Sequence, residues 1–180
     1  MEKHEVRLSG SGGQGLLLAG IILAEAAIND GKNAVQTQSY GPEARGGASK
    51  SEVLISEDAI DFPKVRNCDV LLSLTQKSYD QYNEGLKDEG ILIIDNSVSV
   101  AADIKNKVYS VPIIDTAAKV LGKPMVTNIV ALGAIVEATK LVSYEALEAA
   151  VLSRVPKGTE DLNKRALSLG YEIAKEAMKK

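Results

Sequence analysis

The stretch that most restricts what this chain can fold into is Gly10-Ser11-Gly12-Gly13-Gln14-Gly15. Before it, Glu5-Val6-Arg7-Leu8-Ser9 alternates apolar and polar residues with the period of a strand. After it, residues 16–28 are almost wholly apolar and predict a helix. Strand, glycine-rich turn and helix bring backbone amides and a helix N-terminus to one point, where they can hold an anion. Glycine also lets a ligand approach the backbone without meeting a Cβ. Gly10, Gly12 and Gly15 satisfy the G-x-G-x-x-G spacing of dinucleotide-binding turns. That reading demands an acidic residue ending the second strand, about 20 residues on, for the ribose hydroxyls. The expected second strand, residues 33–38, ends in Gln36-Thr37-Gln38 and carries no carboxylate. No arginine follows before Arg45, so a 2′-phosphate is not served there either. The spacing alone is a weak case for NAD(P) or FAD, and a tight strand-to-helix turn competes with it.

The other side chains exclude several chemistries. With one cysteine, Cys68, and one histidine, His4, the chain cannot by itself build a zinc site, a four-thiolate iron–sulfur cluster or a secure nucleophile–base pair. No catalytic and no metal-ligating residue is therefore expected. A net charge of −3 gives no attraction for nucleic acid or an anionic membrane. With no Trp and one Phe, base-stacking platforms are not expected. No apolar run is long enough to span a bilayer, and Met-Glu-Lys-His does not open a signal peptide. A single cysteine suits a reducing compartment, so a cytoplasmic location is expected.

The rest of the chain alternates strand and helix patterns. Strands are expected at 33–38, 51–56, 68–74, 91–95 and 108–112, and helices at 76–86, 115–121, 128–139, 144–152 and 161–179. Phe62 and Val65, in the connector 58–67, are expected to dip into the core. The pattern predicts an α/β fold: a mostly parallel sheet flanked by helices, a Rossmann-like three-layer sandwich with a helical C-terminal part, as a single domain over 1–180. The first helix carries one charge, Glu25, which calls for cover on both sides, from its own domain or from another subunit. Residues 128–139 are nearly as apolar.

A second loop, Tyr40-Gly41-Pro42-Glu43-Ala44-Arg45-Gly46-Gly47, sets an arginine among flexible amides. Such an arginine can grip a phosphate or carboxylate with two parallel hydrogen bonds, and a solvated turn is the plainer alternative. Cys68 opens an apolar strand, which favours a buried thiol over a nucleophile. Asp95 stands at the carboxyl end of a strand, where α/β proteins place ligand groups, or else serves the turn that follows.

Jointly, the two loops, the run Cys68-Asp69-Val70-Leu71-Leu72-Ser73-Leu74, the helix Asn128-Ile129-Val130-Ala131-Leu132-Gly133-Ala134 and the run Leu162 to Tyr171 resemble the gamma subunit of 2-oxoacid:ferredoxin oxidoreductases, in order and over nearly the full chain. The resemblance implies a component of a complex that oxidatively decarboxylates a 2-oxoacid with coenzyme A, giving acyl-CoA, carbon dioxide and reduced ferredoxin. It implies partners in alpha, beta and ferredoxin-like delta subunits, with thiamine diphosphate and iron–sulfur clusters on those partners and none bound by this chain alone. The Tyr-Gly-Pro-Glu form of the second loop is similar to the 2-oxoglutarate and branched-chain enzymes, and 2-oxoglutarate is the expected substrate. Coenzyme A, shared with a partner, would meet Gly10, Gly12, Gly13, Gln14, Gly15, Tyr40, Glu43, Arg45, Gly46 and Gly47. The two apolar helices would pack against the partners, or pair two copies of the isolated chain. A stand-alone NAD(P)-binding protein and a scaffold subunit with no ligand are the alternatives.

Overall fold

The computed structural model describes residues 2–38 and 47–180. The strands are β1 (Lys3–Ser11), β2 (Asn33–Gln38), β3 (Ala48–Ser56), β4 (Cys68–Ser73), β5 (Leu86–Asp95) and β6 (Lys107–Val111). They form one sheet in the order β2-β3-β1-β4-β5-β6. The pairings β1–β4, β4–β5 and β5–β6 are parallel, whereas β3 is antiparallel to both β1 and β2. The mostly parallel sheet is thus borne out, with one reversed strand inside it.

The helices are α1 (Leu16–Asn29), α2 (Gln76–Tyr82), the single turn α3 (Ile113–Asp115), α4 (Thr127–Thr139), α5 (Tyr144–Arg154) and α6 (Glu160–Met178). Strand alternation splits the core in two. Val6, Leu8, Val53, Val70, Leu72 and Ile93 face the larger layer with α1, α4, α5 and α6. Leu71, Leu92 and Ile94 face the smaller layer, which α2 closes with Tyr79 and Tyr82. The periodicity-2 faces of central strands, buried on both sides, account for their near-continuous apolar sequence.

Both apolar helices are covered within the chain itself. Helix α5 lies along α1, and the one charge on α1, Glu25, accepts from Arg154 Nε at 2.8 Å and Ser153 Oγ at 3.2 Å. Helix α6 crosses α4 at Gly133 and Gly170, so closely that a Cβ on Gly133 would stand 2.5 Å from the Leu167 carbonyl. Eleven residues of α4, from Thr127 to Glu137, are buried. For the first helix this is the cover by its own domain, and most of α4 is enclosed in the same way. On α1 only Leu17 and Ile28 remain as exposed large apolar side chains, at 45% and 56%.

Two smaller expectations fail. Phe62 lies on the surface at 44% exposure, with the Arg66 guanidinium 4.5 Å from its ring centre, although Val65 does pack against the smaller core. The helix expected over 76–86 stops at Tyr82, because the Asn83 side chain donates to the Tyr79 carbonyl at 2.7 Å and ends it. Leu86 then already belongs to β5.

Candidate functional site: the glycine turn at the carboxyl edge

Strand β1 delivers Gly10 and Ser11 to the carboxyl edge of the sheet, beside β4. There β1 is followed by α1 on one side and β4 by α2 on the other, and the chain's connections diverge between them. This is the kind of crevice in which open α/β sheets bind ligands.

The turn is held from within. Gln14 Oε1 accepts from the Ser11 amide at 2.8 Å, and the same side chain fills the space a Cβ on Gly10 would need. Gln14 is thereby explained as a strut of the turn. Gly13 and Gly15 have φ of 86° and 73°, left-handed values that a side chain strains to adopt. Gly15 caps α1 without a side-chain hydrogen bond, and the first turn of α1 carries no acidic residue. A helix N-terminus left so clear of carboxylates favours an anion. Gly12 differs from the other three glycines. It is exposed, a Cβ there would meet nothing within 4 Å, and its φ is not left-handed.

A second helix start converges on the turn. Asn128, in the first turn of α4 and 5% exposed, donates from Nδ2 to the Gly15 carbonyl at 3.2 Å. A Cβ on Gly15 would come within 2.5 Å of that nitrogen. Asn128 thus ties the turn to the buried helix α4, and sequence reasoning had seen only a residue of an apolar helix.

The strand register brings the residues that flank the second loop to the same edge. Ser11 of β1 is the Cα partner of Ala48 of β3, and Gln38 of β2 is the partner of Ser51. The chain therefore leaves β2 at Gln38 and re-enters at Gly47 next to the glycine turn. Tyr40, Glu43, Arg45 and Gly46 lie outside the described residues. Gly47 immediately precedes β3. Below it, the Tyr82 hydroxyl donates to the Ala48 carbonyl at 3.4 Å. The Arg7 guanidinium and the Lys50 ammonium lie 5.8 Å and 5.5 Å from the Tyr82 ring centre. Arg7 Nε also donates to Glu52 at 2.7 Å. Arg7 and Glu52 face each other across β1 and β3, and only the antiparallel register of those strands could have paired them.

The same topology counts against a dinucleotide. In the dinucleotide-binding fold, β2 lies beside β1 so that its end reaches the ribose. Here β3 intervenes, which sets β2 two strand spacings, about 10 Å, from β1. The missing carboxylate at Gln36-Thr37-Gln38 and this displacement agree.

The two remaining candidates are structural. Asp95, 2% exposed, accepts from the Ser97 amide at 3.0 Å, the Ser97 hydroxyl at 2.6 Å and the Ile114 amide at 2.9 Å, so it stitches the end of β5 to the start of α3. Cys68 is fully buried, and burial pushes its thiol up to about 11, the opposite of an activated nucleophile. Among the described residues, no group of three or more His, Cys, Asp or Glu side chains could hold a metal ion. Also among them, no helix is long and apolar enough to cross a membrane.

Known proteins share this arrangement. The family profile described as Pyruvate ferredoxin/flavodoxin oxidoreductase matches residues 5–173. The 2-oxoglutarate synthase subunit KorC of Methanocaldococcus jannaschii is 51% identical, over 97% of this chain and 95% of that protein. KorC of Methanothermobacter thermautotrophicus is 44% identical, over 97% and 96%. The crystal structure of the keto/oxoacid ferredoxin oxidoreductase gamma subunit from Geobacter sulfurreducens superposes with a TM-score of 0.91 at 50% identity, covering 98% of this chain and 99% of that one. The sheet order, the glycine turn and these likenesses have one reading: the chain belongs to the pyruvate ferredoxin/flavodoxin oxidoreductase family.

Proposed function

We propose that the chain is the gamma subunit of a 2-oxoglutarate:ferredoxin oxidoreductase, a complex that converts the 2-oxoacid and coenzyme A to acyl-CoA, carbon dioxide and reduced ferredoxin. The observation that carries the choice of substrate is the grading of identities. Relatives named for 2-oxoglutarate stand at 51%, 44%, 43% and 38%, and those named for pyruvate or ketoisovalerate at 35% or less. Thiamine diphosphate and iron–sulfur clusters belong to the alpha, beta and delta partners, since one cysteine cannot ligate a cluster. The complex works in the cytoplasm.

This chain contributes a binding edge. The amides of Gly12 and Gly13 at the N-terminal end of α1, together with Arg45, seat a phosphate of coenzyme A that a partner subunit shares. Support comes from the open face of Gly12, the absence of acidic side chains in the first turn of α1 and the strand register that brings the ends of 39–46 to the turn. Titrating coenzyme A calorimetrically into the assembled complex tests this. Arg45→Ala removes charged hydrogen bonds worth about 1.5–3 kcal/mol, a loss of roughly 10- to 150-fold in affinity. Unchanged affinity in a fully assembled complex would contradict the assignment.

A further inference from the structure

The two edges of the sheet are guarded differently. An edge strand offers a row of backbone groups to any other strand, and native proteins blunt it with charge, proline or cover. At one edge β6 carries Lys107, follows Lys105 and runs beside Glu172 and Glu176 of α6. At the other edge β2 reads Asn33-Ala34-Val35-Gln36-Thr37-Gln38, with no charge and no proline. The Thr37 carbonyl accepts from the Gln36 side chain at 3.3 Å. Otherwise residues 33–37 make no backbone hydrogen bond among the described residues beyond their ladder with β3.

Helix α1 continues the same character above that strand. Leu17, Ile21, Ala24 and Ile28 are spaced by four, three and four residues, which sets them on one stripe. Leu17 and Ile28 are exposed, Ile21 is half-buried, and Ile22 and Ala26 on the other side of the helix lie in the core. A surface helix ordinarily turns a polar face outward. Here the one charge beside the stripe, Glu25, is paired with Arg154 at 2.8 Å. Asp30 and Lys32, between α1 and β2, are spent on Ser143 and on the Leu141 carbonyl. The flank made by β2 and the α1 stripe is thus neutral, apolar above and open along its backbone.

We propose that this flank pairs two copies of the chain about a two-fold axis normal to the sheet, with β2 antiparallel to β2 and α1 against α1. A register centred on Val35 sets Asn33 opposite Thr37 and Ala34 opposite Gln36 of the second copy. No charges meet, and every side chain keeps its own face of the sheet. The spacing fits as well. Helix α1 straddles β2 and β3, since a Cβ on Gly20 would press on Gln36 of the one and Ser51 of the other. One strand spacing between the copies and half a spacing within each, at about 4.8 Å per spacing, put the two α1 axes about 10 Å apart. Helices pack at about 8–10 Å. Pairing the strands therefore closes both apolar stripes in the same step, which is what favours a second copy over an unrelated strand. The sheet of one copy runs on into the sheet of the other.

Sedimentation velocity on the full chain is the test, and a particle of twice 19.1 kDa is expected. Val35→Lys sets two ammonium groups together at the axis, and Ile28→Glu places a carboxylate in the stripe. Each weakens the dimer about tenfold or more and leaves a monomer with the wild-type circular dichroism spectrum. Ser110→Lys, on β6, leaves the dimer unchanged. Val35→Cys reads the register directly. Directly opposed Cα atoms of antiparallel strands lie about 4.5–5.5 Å apart, within disulfide reach, so mild oxidation links two copies. Cys68 is fully buried and does not compete, and Ser110→Cys gives no such link. The proposal is overturned by a monomeric chain or by a dimer that survives both charge variants. It is equally overturned if Val35→Cys in the assembled complex links to a different subunit instead of to its own copy.

Discussion

Alanine at Gly12 separates a turn that merely folds from a turn that binds. The added methyl meets nothing within 4 Å, and the backbone there is not left-handed. Replacing glycine at such a position stiffens the unfolded chain and stabilises the fold by about 0.4–1 kcal/mol. For a chain of this size that raises Tm by roughly 1–4 °C. A phosphate seated on the turn feels the opposite effect. It must approach the amide nitrogen to about 2.9 Å, and a methyl beside that path displaces it. Losing one charged hydrogen bond costs about 1.5–3 kcal/mol, so coenzyme A binding to the assembled complex weakens roughly 10- to 150-fold. Gly15→Ala is the contrast. Its φ of 73° and the 2.5 Å approach to Asn128 Nδ2 cost about 1–2 kcal/mol of backbone strain plus about 1–3 kcal/mol for the disturbed hydrogen bond. Differential scanning calorimetry and isothermal titration with coenzyme A, run on both variants, give the comparison. A Gly12→Ala complex that assembles and binds coenzyme A within twofold of wild type would refute the anion cradle.

Three further outcomes follow from the packing. Asp95→Ala strands the Ser97 and Ile114 amides and costs about 2–4 kcal/mol in urea unfolding, yet leaves coenzyme A affinity per folded complex unchanged; a loss of affinity would make Asp95 part of the site. Gly170→Ala drives a methyl into the Val130 carbonyl where α6 crosses α4 and lowers stability by about 3 kcal/mol or more, so a neutral result by thermal melting would contradict the close crossing. Cys68 gives a pH signature. Its folded thiol keeps its proton up to about 11, while an unfolded one loses it near 9.0. Stability is therefore intact below pH 9 and falls between 9 and 11, by about 2–3 kcal/mol from this group. Urea melts of wild type and Cys68→Ala at both ends of that window should differ by this amount, and parallel losses would exclude the buried thiol as the cause.

Much of the fold was legible where local chemistry decides it. The apolar run after Gly15 gave α1 to within a residue, and a left-handed Gly31 ends that helix by local chemistry. Helix α5 starts by equally local chemistry, with the Ser143 hydroxyl accepting from the Ala146 amide. Non-local choices were not legible. Nothing in Ala48 to Ser56 says that it inserts antiparallel between β1 and β2, yet that insertion removes the dinucleotide geometry and sets Ala48 beside the end of β1. The cover on α1 and α4 comes from α5 and α6, whose contacts form only after the chain folds back. The site shows the same division. Gly12, Gly13 and Gly15 are visible in sequence, whereas Asn128 reaches Gly15 across 113 residues and Tyr82 reaches Ala48 across 34.

The central claim is that this chain works as one subunit of a 2-oxoglutarate:ferredoxin oxidoreductase. The most direct measurement is to isolate the complex through a tag on this chain and follow coenzyme A-dependent ferredoxin reduction with 2-oxoglutarate, pyruvate and 2-oxoisovalerate. The predicted result is a co-purified complex whose kcat/KM for 2-oxoglutarate exceeds that for the other two by about tenfold or more, with no activity from the chain alone. A complex that prefers pyruvate or 2-oxoisovalerate, or activity in the isolated chain, would contradict it.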